Sequence, residues 1–228
     1  MNGDDYASEK GGRGDTQMTR LEVQPWFKIL IHPRQTMRWI LSDGSSGDVF
    51  LLCYLEGLAF YLVNASSTGV GDDTSAMGIL FWGMLSALGY MGLKIYLGGG
   101  LLYWTGRWLK GAEEVDGIRA ALAWSAMPNI WGLLLWVPAF SFLQEELFTS
   151  ETPRIAESLP LAVFEFAFRL VLILLNVYSA VLLVPTLAEA QEFSTLRAVA
   201  NILLTLVVVL IPVALFIGYV VLKASLAL

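Results

Sequence analysis

LRAVANILLTLVVVLIPVALFIGYVVL, Leu196 to Leu222, is the stretch that decides the fold. Beyond Arg197, almost nothing interrupts it except Asn201, Thr205 and Pro212. About 20 apolar residues in a helix cross the hydrocarbon core of a bilayer. Working back toward the N-terminus, four more runs of this kind occur, about Leu159–Leu187, Ile118–Phe142, Met77–Trp108 and Gly47–Asn64. The 228 residues are 56% hydrophobic and only 15% charged, where a soluble domain carries about a quarter. One soluble core has no use for five such runs, so the surplus reads as lipid-facing surface. The predicted fold is all-α, a polytopic membrane helical bundle of about five transmembrane helices.

Charge placement predicts the orientation. Residues 25–41 carry Lys28, His32, Arg34 and Arg38 without an acid, and the connection after the second run carries Arg107, Lys110 and Arg119. The connection over 65–75 has Asp72 and Asp73 and no base. The one after the third run has Glu145, Glu146, Glu151 and Glu157 against Arg154 alone. Basic loops stay in the cytoplasm, which puts the N-terminus inside and the C-terminus outside and requires an odd number of spans. Met1 to Arg20 is polar and has no apolar core of a signal peptide, so the first span is expected to act as the insertion signal.

Three segments follow. Residues 1–24, rich in Gly, Asp, Ser and Thr, read as a disordered cytoplasmic tail. Residues 25–45 read as an interfacial amphipathic segment. From Pro33, Arg34 and Arg38 share one helix face and Met37, Ile40 and Leu41 another, with Trp26 and Trp39 suited to headgroup level. Lys28, Arg34, Arg38 and Trp39 are the predicted lipid-headgroup contacts. Residues 46–228 form the transmembrane domain.

Four ionisable groups fall at membrane depth, where they are costly and point to function by default. Glu165 and Arg169 are spaced i, i+4 and can pair on one helix. Glu56 and Lys94 lie on successive antiparallel spans and can meet across them. The spacing favours two structural ion pairs over an ion or proton pathway. Pro128 and Pro212 are predicted helix kinks, each removing a donor from the turn before it; Asn129 or Ser125 is placed to satisfy the carbonyl freed near Pro128. Gly98–Gly100 reads as a site of close helix packing or a local break.

No catalytic set emerges. With one cysteine (Cys53) and one histidine (His32), neither a disulfide framework nor a Cys/His metal cluster is expected, and no cofactor is implied. The net charge of −6 and the lack of a basic patch argue against nucleic acid as a partner. The expected partners are the lipid bilayer and other membrane proteins or further copies of the chain.

Three stretches resemble the Yip1 family, in its bacterial branch. His32-Pro33-Arg34-Gln35-Thr36-Met37-Arg38 resembles its Pro-Arg-x-Thr-hydrophobic-Arg opening. Gly98-Gly99 to Gly111, with Ala123-Trp124-Ser125-Ala126-Met127-Pro128, resembles its glycine-rich turn and proline-bearing third helix. The run from Leu187 to Ala198 resembles the link into its last helix. The resemblance implies five spans and a cytoplasmic N-terminus, in the inner membrane for a bacterial protein. Eukaryotic members are linked to Rab GTPases, but their Asp-Leu-Tyr-Gly-Pro motif is absent here, so Rab-type GTPase binding is not carried over. The implied role is a non-enzymatic membrane-organising or scaffold protein; the alternative is a small ion or solute transporter or channel using the intramembrane charges.

Overall fold

The computed structural model describes residues 25–43, 47–111 and 114–225. The tail assigned to 1–24 lies outside them. The described residues are almost wholly helical. Two short helices, α1 (Pro25–Ile31) and α2 (Pro33–Asp43), precede α3 (Gly47–Thr68). The chain then runs through α4 (Ala76–Gly92), a π-helical turn (Leu93–Gly98) and α5 (Gly99–Trp108) without a break. α6 (Val115–Ser125) and α7 (Met127–Leu143) follow, then α8 (Pro153–Glu157), α9 (Leu159–Ala190) and α10 (Thr195–Ser225).

Five helices among these residues are long and apolar enough to cross a membrane: Asp48–Thr68, Ala76–Trp108, Val115–Leu147, Leu159–Ala190 and Thr195–Lys223. The second is 33 residues long, about 50 Å of helix at 1.5 Å per residue, well beyond the roughly 30 Å of hydrocarbon. Half of the most apolar stretch of the first span is buried and none of the fifth's. The third span forms the middle of the bundle: Ile118, Ala121, Ala123, Trp124, Met127 and Ala139 are at most 1% exposed. The fourth span packs along both halves of it, and the first span lies against it from another side.

Small residues set the closest approaches. A Cβ on Gly57 would lie 3.0 Å from the Ala87 carbonyl oxygen, so the first and second spans touch backbone to backbone there, as tightly packed membrane helices do. Glycine at 98 and 99 has another setting, since both close the π-helical turn, where the Gly99 N–H reaches back to the Lys94 carbonyl. The expected local break is thus a widened turn inside a continuous helix.

The third span turns at Ala126, whose N–H bonds to Ala123 O at 3.2 Å, and Pro128 enters the first turn of α7. There its missing N–H costs no helical bond. Ser125 donates to Leu122 O at 2.9 Å, not to the Trp124 carbonyl as the sequence suggested. Helix α10 continues through Pro212.

At the end of the bundle away from α2, the two acidic connections clasp each other. The Ser150 N–H donates to Asp72 Oδ1 at 3.0 Å, the Gly71 N–H to Phe148 O at 2.8 Å, and Glu146 takes the Arg154 and Ile155 N–H groups at the start of α8. Hydrogen bonds from the Ser150 side chain, then its backbone, hold the Asp72 carboxyl below its ordinary value. A depressed folded-state pKa contributes stability that is present above the unfolded value, about 4, and is lost as pH falls through the folded one. Asp72→Ala is therefore expected to melt below the wild type at pH 6, by a margin that narrows as pH falls below about 4, read as thermal unfolding in detergent across that range.

Candidate functional site

Two of the four charges predicted at membrane depth, Glu56 and Arg169, line one feature, a groove among the first, third and fourth spans enclosing about 410 Å³. Glu56, 8% exposed on the first span, forms an ion pair with Lys94 of the π-helical turn. The widened turn carries Lys94 toward the first span in the same region where Gly57 lets the two helices approach. Glu56 also lines the deep end of the groove, near Tyr90 and Asn129. Ten residues further along the first span, about 15 Å, Ser66 and Ser67 line its other end with Arg169. Arg169 Nε bonds to Glu165 Oε1 at 2.9 Å, and Nη2 reaches Ser66 O at 3.4 Å, bridging the fourth span to the first. The Arg169 side chain remains 38% exposed.

Hydrogen-bond accounting distinguishes this groove from an ordinary packing gap. Ser66 and Ser67 both donate to Val63 O, and the Asn64 amide donates to Phe60 O. Their donors are used within their own helix, leaving oxygens to accept. Arg169 keeps N–H groups to offer. Asn129 and Asn176 line the groove, with no hydrogen bond among the described residues. Trp136, 7% exposed, lines it as well, and its indole N–H is buried without a partner. The ring is held by Phe168, edge-on at 5.2 Å, and by Phe148, stacked at 5.8 Å, so it cannot swing away to find one. The groove therefore sets the free N–H groups of Arg169 and the amides of Asn129 and Asn176 beside the Glu56 carboxylate and the accepting oxygens of Asn64, Ser66 and Ser67.

The predicted headgroup residues lie elsewhere, on the two N-terminal helices. Ile29, Met37 and Ile40 are buried against the bundle, so the apolar face of the segment is covered by protein. Its opposite face, with Phe27, Lys28, Ile31, His32, Arg34 and Arg38, is exposed, and Trp39 is half-buried against the core. Arg38 Nε bonds to Glu189 Oε1 at 2.7 Å and Arg34 Nη2 to Thr195 Oγ1 at 2.8 Å. The bond from Glu189, then its charge, raises the Arg38 guanidinium above its usual value. Helix α1 reaches deeper. Tyr178 OH donates to Leu30 O, the Trp131 indole to Trp26 O at 3.4 Å, and Phe27 stacks on Trp131 at 4.7 Å. Tyr178 lies 11 residues from Glu189, about 16 Å along the helix, so α1 and α2 sit at different depths.

A third polar cluster was not anticipated. Asn201 of the fifth span accepts from Thr105 Oγ1 at 2.6 Å and donates to Leu102 O at 3.1 Å and Gln191 Oε1 at 2.9 Å. Thr105 also lies 2.7 Å from Thr205 Oγ1, and Gln191 donates to Leu102 O at 3.2 Å. Thr105, Gln191 and Asn201 are at most 1% exposed. Gly106 makes room for them, since a Cβ there would lie 2.6 Å from Gln191 Nε2. The signal was in the sequence, because Asn201 and Thr205 are i, i+4 and so share one face of an otherwise apolar helix.

No curated protein and no solved structure matches this chain. A family model described as the Yip1 domain matches residues 27–217, from α1 through most of the fifth span. The five apolar helices and this match together establish that the chain is an integral, multi-pass membrane protein belonging to the Yip1 family.

Proposed function

We propose that the protein is a non-enzymatic membrane-organising scaffold, oriented with its N-terminus in the cytoplasm and acting on the leaflet around its two N-terminal helices. One observation supports this reading: the helix pair is braced on the bundle with its basic and aromatic face turned outward, and its two helices meet the fourth span at levels about 16 Å apart. Helix α2, at the level of Glu189 and Thr195, offers Arg34 and Arg38 to headgroups, with Trp39 beside them. Helix α1, at the level of Tyr178, offers Phe27 and Ile31 to acyl chains. Protein mass in one leaflet alone changes the packing of that leaflet. In a bacterial cell this would be the inner face of the inner membrane. Basic residues near an anionic surface each contribute about 1 kcal/mol. Arg38 contributes less, because Glu189 already neutralises it. Partners within the membrane, including further copies, would meet the exposed apolar spans. The intramembrane charges support scaffolding more than transport, because they are taken up in pairs.

The test is a nitroxide at Ile31→Cys in the full chain, in nanodiscs with and without phosphatidylglycerol; the native Cys53 is fully buried and takes no label. The label is expected at hydrocarbon depth, accessible to oxygen and shielded from a water-soluble nickel relaxant. Arg34→Gln is expected to lower affinity for anionic lipid about fivefold. A label exposed to water in both kinds of disc would remove the reading.

A further inference from the structure

We propose that the groove among the first, third and fourth spans is a binding site for the phosphate-ester head of one membrane lipid, drawn sideways from the leaflet opposite α2. This does not rest on the scaffold reading, since it concerns other residues at the other end of the bundle.

Position is the first argument. Helix α9 has 32 residues, about 48 Å, and the hydrocarbon layer is about 30 Å thick. With the helix centred in that layer, the Arg169 backbone lies about 7 Å inside its edge, next to the last two turns of the first span. The long Arg169 side chain can reach back toward the surface to meet a lipid phosphate moving inward along the groove. The groove is open on the side of Phe60, Ile173 and Val177, all exposed and all facing lipid at mid-span, so acyl chains can remain in the bilayer while the head enters.

Chemistry is the second. Glu165 takes the Nε of Arg169 and leaves terminal N–H groups of the fork available; guanidinium groups bind phosphate oxygens in paired hydrogen bonds. The Trp136 N–H is a donor only, and buried donors without partners cost about 1–3 kcal/mol each. Asn129 and Asn176 add two amides about 10 Å deeper along their helices than Trp136 and Arg169 respectively, seven residues at 1.5 Å. A phosphate alone would satisfy only the upper group. A phosphate joined to glycerol esters presents acceptors at successive depths, matching donors arranged the same way. The groove volume of about 410 Å³ lies within the usual range for small-molecule sites.

The full chain, purified in mild detergent, is examined by native mass spectrometry with added phosphatidylglycerol, diacylglycerol or inorganic phosphate. One tightly held phosphatidylglycerol is expected. Diacylglycerol, which has the esters but no phosphate, should not be retained, and inorganic phosphate should not displace the lipid. Trp136→Phe, which keeps a smaller aromatic ring there and removes the N–H, is expected to weaken retention roughly tenfold. Asn176→Leu should do the same while folding at least as well, because its position faces the groove mouth and lipid. Arg38→Gln, at the other end, should leave this lipid in place and so separates it from any lipid held by the basic helices. Equal retention by wild type and both groove variants would overturn the proposal, as would equal retention of diacylglycerol or displacement by inorganic phosphate, the last assigning the groove to a soluble anion.

Discussion

Lys94→Met is expected to lower stability by about 3–5 kcal/mol, the typical result of removing one member of a buried ion pair. The side chains of Lys94 and Glu56 are only 13% and 11% exposed. With Lys94 gone, Glu56 must either keep an uncompensated charge at membrane depth or take up a proton, and both cost free energy. The loss arises from that orphaned carboxylate more than from the intact pair, whose attraction is largely offset by desolvation. Adding Glu56→Gln to Lys94→Met should therefore recover most of the loss, although it removes the pair entirely. Thermal unfolding of the purified protein in detergent, with folded yield by size-exclusion chromatography, measures all three. A Lys94→Met protein that folds normally and changes ion flux in proteoliposomes would replace the structural role with a conducting one. Arg169→Gln provides the contrast: its partner is one turn away on the same helix and its side chain is 38% exposed, so a loss of well under half that size is expected.

The spans were legible because a long apolar run has few other uses, and their number follows from counting them. Glu56 and Lys94 stood out for the same reason, as charges in apolar surroundings, and antiparallel neighbours at similar depth leave few other partners. The groove was not legible. In a soluble helix the polar face marks the outside, but in a lipid-exposed helix both lipid and core are apolar, so periodicity does not reveal which way Trp136 or Asn176 points. Trp136 read as one more tryptophan among eight; its orphaned N–H exists only once Phe148 and Phe168 close around it. The π-helical turn was hidden for another reason. Its signature, Gly98–Gly100, also marks close packing, and only the backbone distinguishes a widened turn from a tight crossing. The N-terminal segment is intermediate. Its amphipathicity is plain in the sequence, but Met37 and Ile40 bury against helices that only the tertiary fold brings there, and Glu189, which holds Arg38, is 151 residues away in the chain.

Asn201→Leu is expected to release the fifth span, at a cost of about 2–4 kcal/mol. In the stretch Leu196–Leu222 this substitution makes the helix more apolar, so hydropathy alone predicts better insertion and no penalty. The packing predicts the opposite. From Leu206 to Lys223 nearly every residue of the span is exposed, which leaves its attachment to the region around Ala198, Asn201 and Thr205. Hydrogen bonds between membrane helices average only about 0.6 kcal/mol in themselves. Here, however, leucine would strand the Gln191 Oε1 and take one partner each from Thr105 and the Leu102 carbonyl in a site that excludes water, and orphaned groups cost more than the mean bond contributes. Leucine also lacks the shape of the amide it replaces, beside a glycine at 106 with no space to yield. Asn201→Asp, which keeps the size but turns an accepting oxygen toward the Leu102 and Gln191 oxygens in a buried apolar site, should cost at least as much. Cysteine pairs across Leu102 and Asn201 would be uninformative, since they delete the network being measured; a pair of spectroscopic labels on Trp108 and Leu196, both more than half exposed, avoids this. A narrow distance distribution between them is expected in the wild type and a broad one in Asn201→Leu, with bundle melting otherwise retained. An unchanged distribution would mean that the fifth span is held by lipid and by its link to the fourth, and that the buried amides are incidental to its attachment.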